Sequence, residues 1–509
     1  MGMRIGGLAS GIDTDSIIKD LMKAERIPLD KMEQDKTKLE WQRDSFRDVN
    51  KKLLELDNMM LDMKMSKTYN SKSVTSSMEG AVIATSTSSS TNGTYNINVE
   101  KLATSAINIG TENNVADPDV SIGTDYTGEH SLSYFDEDGK AKNFTFEIKA
   151  GDTVNDVLKK ITDGDNPIRA FFADGQVVFE TTRTGNYNED GDFFGGAEII
   201  FGTVTDSETD GKTFESESDT FFTEFLGMVQ GKDEGGEKGG ENASFTYNNN
   251  LDLTSKNNNY TLNGITFQFN DITDDKNATL TVNNDVDASF DNIMAFVDKY
   301  NDVVETLNGS QQEQLYRDFP PLTDAQREEM SDNEIELWEE KAKSGLLKGE
   351  SAISSGLFDM RQSWYSTVET GGQFSSLTQI GIATSSDYLD GGKLIVNEEE
   401  LKAALSKDPE SVQKLFSNSK EDSSRGLVNR LEDAVESTMN RINERAGKGT
   451  DTLENYTLGK RMKDLEDQID AFEDRITQIE DRYWRQFSAM EQAISMMNNQ
   501  SAMLMSNFQ

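Results

Sequence analysis

The chain has 509 residues, room for three or four domains, and carries 50 Lys and Arg against 92 Asp and Glu, a formal net charge of −42. So acidic a surface repels nucleic acid and anionic membranes and favours solubility. There is no cysteine and one histidine, His130, which excludes disulfides, thiolate metal sites and cysteine nucleophiles and leaves almost nothing for histidine chemistry. No run of 18 apolar residues is present, so no membrane-spanning helix is expected. The opening MGMRIGG lacks the apolar core of a secretory signal, and Gly6 stands where a myristoylation site needs Ser or Thr. By these criteria the chain reads as cytosolic, unless export uses a route without a cleaved signal.

In chain order, the first element is a short amphipathic helix. Asp13 or Thr14 is its N-cap candidate, and Ile17, Ile18, Leu21 and Met22 lie on one face, with Leu8 ahead of them. Pro28 separates it from a second segment, because Pro starts helices well and continues them badly. In that segment Met32, Leu39, Phe46, Leu53 and Met60 recur at intervals of seven, and Val49, Leu56 and Met63 fill a second seam position.

The middle changes character. Residues 71–102 alternate Ser and Thr with Val, Ile and Tyr; 81–85 and 95–99 read as strands, Asn92-Gly93 as a turn, and the serines 86–90 as strand and turn rather than linker. Residues 111–250 hold 30 acidic and 10 basic side chains, nearly half the net charge in just over a quarter of the chain. Strands are expected at 143–148 and 176–182, a short helix at 154–161, and a mobile charged glycine loop or linker at 231–240. A second strand group follows at 260–262 and 265–269 around Asn263-Gly264, then 280–282, leading through Asp285 and Asp287 into a helix at 290–307. The order of strand, acidic turn and helix at 148–161 and 280–307 suggests a weak internal repeat. Helices resume until about Thr370, with Ile335, Leu337, Trp338, Leu346, Leu347, Ile353, Leu357 and Trp364 on their apolar faces. A strand at 393–396 and a helix at 398–405 come next.

The last fifty residues carry the strongest pattern. One sevenfold series reads Met462, Ile469, Ile476, Tyr483, Met490, Met497 and Leu504; a second reads Leu458, Leu465, Phe472 and Ile479. After Tyr483 the phase slips to Phe487, Met490 and Ile494, which suggests a local change of partner or supercoil. Such a seam demands burial, since each large apolar side chain is worth roughly 1.5–3 kcal/mol. It fits either a coil between subunits or a plain antiparallel hairpin within one. Coil-forming helices at both ends imply that the ends meet and that the middle is an insertion.

Catalytic motifs are missing. There is no dinucleotide or P-loop glycine pattern, and 7–11, GLASG, is not a nucleophile elbow. Asn186, Asn188, Asp190 and Gly191 match the opening of a calcium loop, but its twelfth position is Ala197, with Glu198 one place late, so an Asn/Gly turn is the better reading. A glycosidase-type carboxylate pair is not excluded by counting, because acids are everywhere.

At both ends and through the second half, the sequence resembles the flagellar filament-capping proteins, the hook-associated protein 2 or FliD family. The resemblance rests on 5–14, IGGLASGIDT, with Ile17-Ile18 and 25–29, ERIPL; on 93–99, GTYNINV, with Leu102-Ala103; and on 295–301, AFVDKYN. Further blocks are 344–350, SGLLKGE; 380–384, IGIAT, with 390–394, DGGKL, and 408–412, DPESV; and 486–491, QFSAME, with Ile494. Residues 111–250 carry the least resemblance.

The resemblance implies an α+β multidomain protein: a terminal α-helical coiled-coil or bundle leg with inserted β-rich head domains. Expected divisions are coil segments at 1–35 and 455–509, a helical leg at 36–70 and 290–454, a β-rich head at 71–110 and 251–289, and an outer head at 111–250. It implies a non-enzymatic, cofactor-free extracellular cap at the filament tip, exported unfolded through the flagellar type III apparatus. There a homo-oligomeric ring, five subunits by family expectation, retains flagellin while it folds and inserts. Further partners implied are the filament tip and hook-filament junction proteins and a FliT-like export chaperone. The C-terminal seam, with the N-terminal face from Leu8 to Leu53, is the expected assembly surface. An adhesin with a ligand-binding head on a coiled stalk is the alternative. Both terminal segments are expected to be mobile or partly helical in a dilute monomer.

Overall fold

Asp13 starts the fold: its side chain accepts the Ser16 N–H at 3.0 Å and caps helix α1 (Thr14–Met63). The computed structural model describes residues 13–507 except 113, 208–210, 216–219, 233–234 and 275. After α1 come α2 (Ser66–Tyr69), strands β1 (Lys72–Ser76), β2 (Val82–Ser86), β3 (Gly93–Lys101), β4 (Ser105–Ile109), β5 (Gly128–Phe135) and β6 (Ala141–Ile148), then α3 (Val154–Thr162). Strands β7 (Ile168–Ala173), β8 (Gln176–Thr184), β9 (Thr203–Ser207), β10 (Gly211–Glu215), β11 (Ala243–Tyr247), β12 (Leu251–Ser255), β13 (Asn259–Leu262), β14 (Ile265–Phe269) and β15 (Ala278–Asn284) follow. The remainder is mostly helical: α4 (Val286–Gln312), α5 (Asp324–Glu328), α6 (Asp332–Lys343), α7 (Ser351–Ser363), the hairpin β16 (Ile382–Thr384) and β17 (Leu394–Val396), α8 (Glu398–Lys407), α9 (Pro409–Ser417), α10 (Leu427–Ala446) and α11 (Thr457–Asn507).

Two compact units result, one from Met1–Asn70 with Val286–Gln509 and one from Ser71–Asp285. In the helical unit, α1 buries Phe46, Val49, Leu53, Leu56 and Met60 against α4 and α10. The bonds from Arg47 Nε to the Ala446 carbonyl at 3.3 Å and from Asn50 to Asn443 at 3.2 Å, with the Lys64–Glu432 ion pair, run α10 antiparallel to α1. Helices α7 and α10 approach closely at Gly356, where a Cβ would come within 2.5 Å of the buried Thr438 side chain.

The β-rich unit is a sandwich with an insertion. One sheet runs β1-β15-β3-β11-β12 and the other β13-β14-β2. Val82, Ile97, Val99, Phe245, Phe267, Phe269, Leu280 and Val282 share the core between them. The β13–β14 turn places Asn263 and Gly264 at φ 51° and 79°, left-handed values that Asn and Gly accept most readily. Strand β3 pairs directly with β11, Lys101 opposite Ser244, so everything between leaves and re-enters the sheet at neighbouring strands. That insertion carries sheets β4-β8-β7, β5-β6 and β9-β10. Helix α3, closed by a Thr153–Asp156 capping box, packs Val154, Val157, Leu158 and Ile161 into its core.

Several sequence expectations need correction. Pro28 does not break the helix: α1 runs through it for 50 residues. Proline removes one backbone bond, but the adjoining Leu29 is fully buried, and tertiary packing outweighs the local penalty. Sheet membership moves the head boundaries. Strand β4, expected within 71–110, belongs to the insertion, and β11, expected within 111–250, belongs to the inner sandwich. Within the expected linker 231–240, residues 235–240 are packed rather than free, because the buried Glu237 carboxylate accepts the Glu198 and Ile199 N–H groups, both at 2.8 Å. The helices of the suggested repeat differ in length, α3 having 9 residues and α4 27, and fall in different units. Leu337, placed on an apolar face, is 53% exposed.

Candidate assembly surface on the paired terminal helices

Helices α1 and α11 lie side by side and antiparallel. Lys36 Nζ meets Glu466 Oε1 at 2.9 Å, and eleven residues earlier in α1 Glu25 accepts the Tyr483 hydroxyl at 2.9 Å. The Glu466 hydrogen bond holds the Lys36 ammonium above its ordinary pKa. Nearby Glu33 is pushed upward, first by burial and then by Asp30. Of the alternatives that periodicity leaves open, the chain itself forms the antiparallel hairpin.

Burial grades along this pair. Leu458 and Met462 are sealed into the core of the helical unit. Leu465, Ile469 and Phe472 are half-buried, Ile476 and Ile479 are buried, and Tyr483, Phe487, Met490 and Ile494 are half-buried again. Met497 is 61% exposed, and Met496, Met503, Leu504 and Met505 lie between 60% and 73%. On α1, Phe46 and Leu53 are core residues with no exposed surface, so they are unavailable to another chain. Leu39 and Met32 are half-buried; Ile18 is buried, Met22 half-buried, and Ile17 and Leu21 remain open at 38% and 37%. Leu8 lies outside the described residues. Leu39 and Leu465 face a groove of about 630 Å³ that Leu346 and Arg461 also line, so the seam stays partly open beside the core.

The sequence reading missed Leu29, fully buried on α1. Its signal was present: Ile18, Met22, Leu29 and Met32 step by four, seven and three, one helical face. Reading Pro28 as a break hid it. The Tyr483–Glu25 bond could not be read from spacing, because it joins residues 458 apart.

Among the described residues no group of three or more His, Cys, Asp or Glu side chains could hold a metal. At the calcium-like stretch the Lys212 ammonium donates to Asn188 at 2.9 Å and stands 3.9 Å from Asp190. Glu198 accepts the Asn188 N–H at 2.9 Å. The loop is thus closed by a lysine and backbone donors. No described helix is long and apolar enough to cross a membrane.

Comparison with known proteins gives a consistent result. The model of the flagellar hook-associated protein 2 N-terminus matches residues 10–106, and that of its C-terminus matches 240–499. Neither match includes 107–239, most of the β3–β11 insertion. A flagellar hook-associated protein 2 of Halalkalibacterium halodurans is 36% identical over 99% of this chain and 100% of its own length. One of Thermotoga maritima is 23% identical over 98% and 95%. The D1-D2-D3 domains of the Escherichia coli flagellar cap protein FliD share the fold, with a TM-score of 0.57 and 18% identity over 80% of this chain and 97% of that one. Matching end to end at this identity, the chain belongs to the flagellar hook-associated protein 2 family.

Proposed function

We propose that this protein is the structural cap at the distal tip of the bacterial flagellar filament. It assembles there as a ring that retains exported flagellin and promotes its folding and insertion. Family membership supports this reading, and the observation that carries it is the long α1–α11 pair. This pair is anchored in the helical unit at one end and open at the other. An extended helical post with an uncovered apolar end suits docking into a filament.

The proposed mechanism contains no chemical step. Export and flagellin folding supply the free energy, while the cap supplies confinement and a template. In this reading the partners are further copies in a ring of five subunits by family expectation, with flagellin, the filament tip and hook-filament junction proteins, a FliT-like export chaperone and the flagellar type III export apparatus. The working site is extracellular, at the filament tip. No observation favours the adhesin alternative.

Deleting the gene and counting filaments tests the proposal. The expected result is few or no filaments with flagellin lost to the medium; normal filaments on the deletion strain would reject the cap role.

A further inference from the structure

The far end of α11 differs chemically from the rest of the chain. Residues 492–507 contain no charged side chain in a protein whose net charge is −42. Four methionines crowd that stretch, and each is widely open: Met496 and Met497 at 61%, Met503 at 68% and Met505 at 73%. Methionine is also the only sulfur chemistry available, since the chain holds 20 methionines and no cysteine. Five others are sealed: Met60 and Met360 have no exposed surface, Met63 and Met462 have 1%, and Met228 has 3%; Met65, at 45%, is open but less so than the four of the tail.

Thioether oxidation follows access, because the oxidant must reach the sulfur lone pair. A peroxide transfers one oxygen atom to sulfur. The O–O bond breaks, an S–O bond forms, sulfur loses two electrons, and hydrogen peroxide leaves as water. The product is a polar, chiral sulfoxide where an apolar, adaptable side chain stood. With no thiol to intercept the oxidant, the exposed thioethers take it first. We infer that the end of α11 is a methionine-oxidation site, at which peroxide-class oxidants convert Met496, Met497, Met503 and Met505 and so release the tail from its docking partner. This rests on the proposed docking of the paired helices. It adds a regulated chemical property that docking by itself does not require. A sulfoxide buried against an apolar partner needs a hydrogen-bond donor that such a seam does not offer.

The test uses the full-length protein and hydrogen peroxide. Graded peroxide followed by peptide mass mapping should convert the four tail methionines at least about fivefold faster than Met60, Met63, Met228, Met360 and Met462. Binding to the ends of sheared flagellar filaments, followed by co-sedimentation, should fall at least about tenfold once the tail is converted and return after treatment with a methionine sulfoxide reductase. A variant with Met496→Leu, Met497→Leu, Met503→Leu and Met505→Leu should bind before and after peroxide. Even conversion across all methionines, unchanged binding by a fully oxidised tail, or loss of binding by the oxidised leucine variant would each overturn the inference. Met497→Asp with Leu504→Asp separates the underlying reading. If that variant binds filament ends like the parent, docking by the tail is wrong. If it loses binding while the oxidised parent keeps it, only the oxidation switch is wrong.

Discussion

Glu237 shows how much one side chain can carry in the inserted head. Its carboxylate is 3% exposed and accepts two backbone N–H groups, with the Lys232 ammonium 4.0 Å away. Burial is the larger influence and pushes its pKa up to about 7. The buried Glu198 beside it is shifted upward too, again by burial first. A carboxyl whose folded pKa lies above its unfolded one binds its proton more tightly when folded. Its stabilising contribution is therefore complete below the unfolded value of about 4.3 and is lost as pH rises through about 7. The head should be less stable at pH 8 than at pH 5, by an amount on the order of 3 kcal/mol from this group, and so melt at a lower temperature. Glu237→Gln should flatten that slope, at the cost of one of the two backbone bonds. Melting followed from pH 5 to pH 8 checks this, and an equal slope in the variant would assign the dependence elsewhere. At the same scale, Gly356→Ala forces a methyl group against Thr438 where α7 meets α10. It should destabilise the helical unit by about 1–3 kcal/mol, read as an earlier denaturant midpoint.

At the scale of elements, the α1–α11 pair should be most vulnerable where its middle is most buried. Ile476 and Ile479 are 6% and 9% exposed, while their neighbours Phe472 and Tyr483 are only half-buried. Ile476→Asp with Ile479→Asp places two unpaired carboxylates in that seam, and each costs several kcal/mol if it stays buried. The expected outcome is splaying of the far ends of both helices, with fast amide exchange in 14–32 and 476–507. The core around Phe46 and Met462 should stay protected. Cells carrying the variant should secrete the protein but build few capped filaments. Unchanged exchange and normal motility would mean that the pair is not held by this seam.

These elements also show what could be read in advance. The heptads at both ends, the Asp13 cap, the alternating strands and the Asn263-Gly264 turn are local patterns, and local patterns survive in a sequence. The fully buried Leu29 was hidden because proline's local penalty was weighed without the packing that overrides it. Glu237 looked like part of a charged glycine linker because its two amide partners lie 38 and 39 residues away in the chain. The open methionine end continued the sevenfold series, so periodicity alone assigned Met497 to the same seam as Met462. Only three-dimensional burial separates a residue with 1% exposure from one with 61%.

For the whole molecule, the decisive feature is that the inserted head leaves and returns through adjacent strands. Because Lys101 on β3 lies opposite Ser244 on β11, the sandwich needs only a short turn at that point, whatever the insertion contains. The insertion also has its own cores, one around Phe179, Phe201 and Phe222 and another around Phe135 and Ile200. The inner sandwich is built from β1–β3 and β11–β15 without them. The cost of closing a loop grows only slowly with its length, so evolution can lengthen this connection with little effect on the sheet it interrupts. The same reasoning runs in reverse. Removing 104–242 and joining Ala103 to Ala243 through one or two glycines should leave the β3–β11 ladder and the helical unit folded. The bonds of the Thr184 hydroxyl to the Lys256 carbonyl at 2.8 Å and of the Lys256 ammonium to the Glu137 carbonyl at 3.2 Å would go, so a modest loss of stability in the β12–β13 turn is expected. Circular dichroism should retain the helical signal, and exchange protection should persist in β3, β11 and β15. In cells, the shortened protein should still reach filament tips, while more flagellin escapes to the medium than with the full chain. If the shortened chain unfolds altogether, the insertion is part of the sandwich's own folding unit. If flagellin retention is unchanged, the inserted head takes no part in holding the subunits.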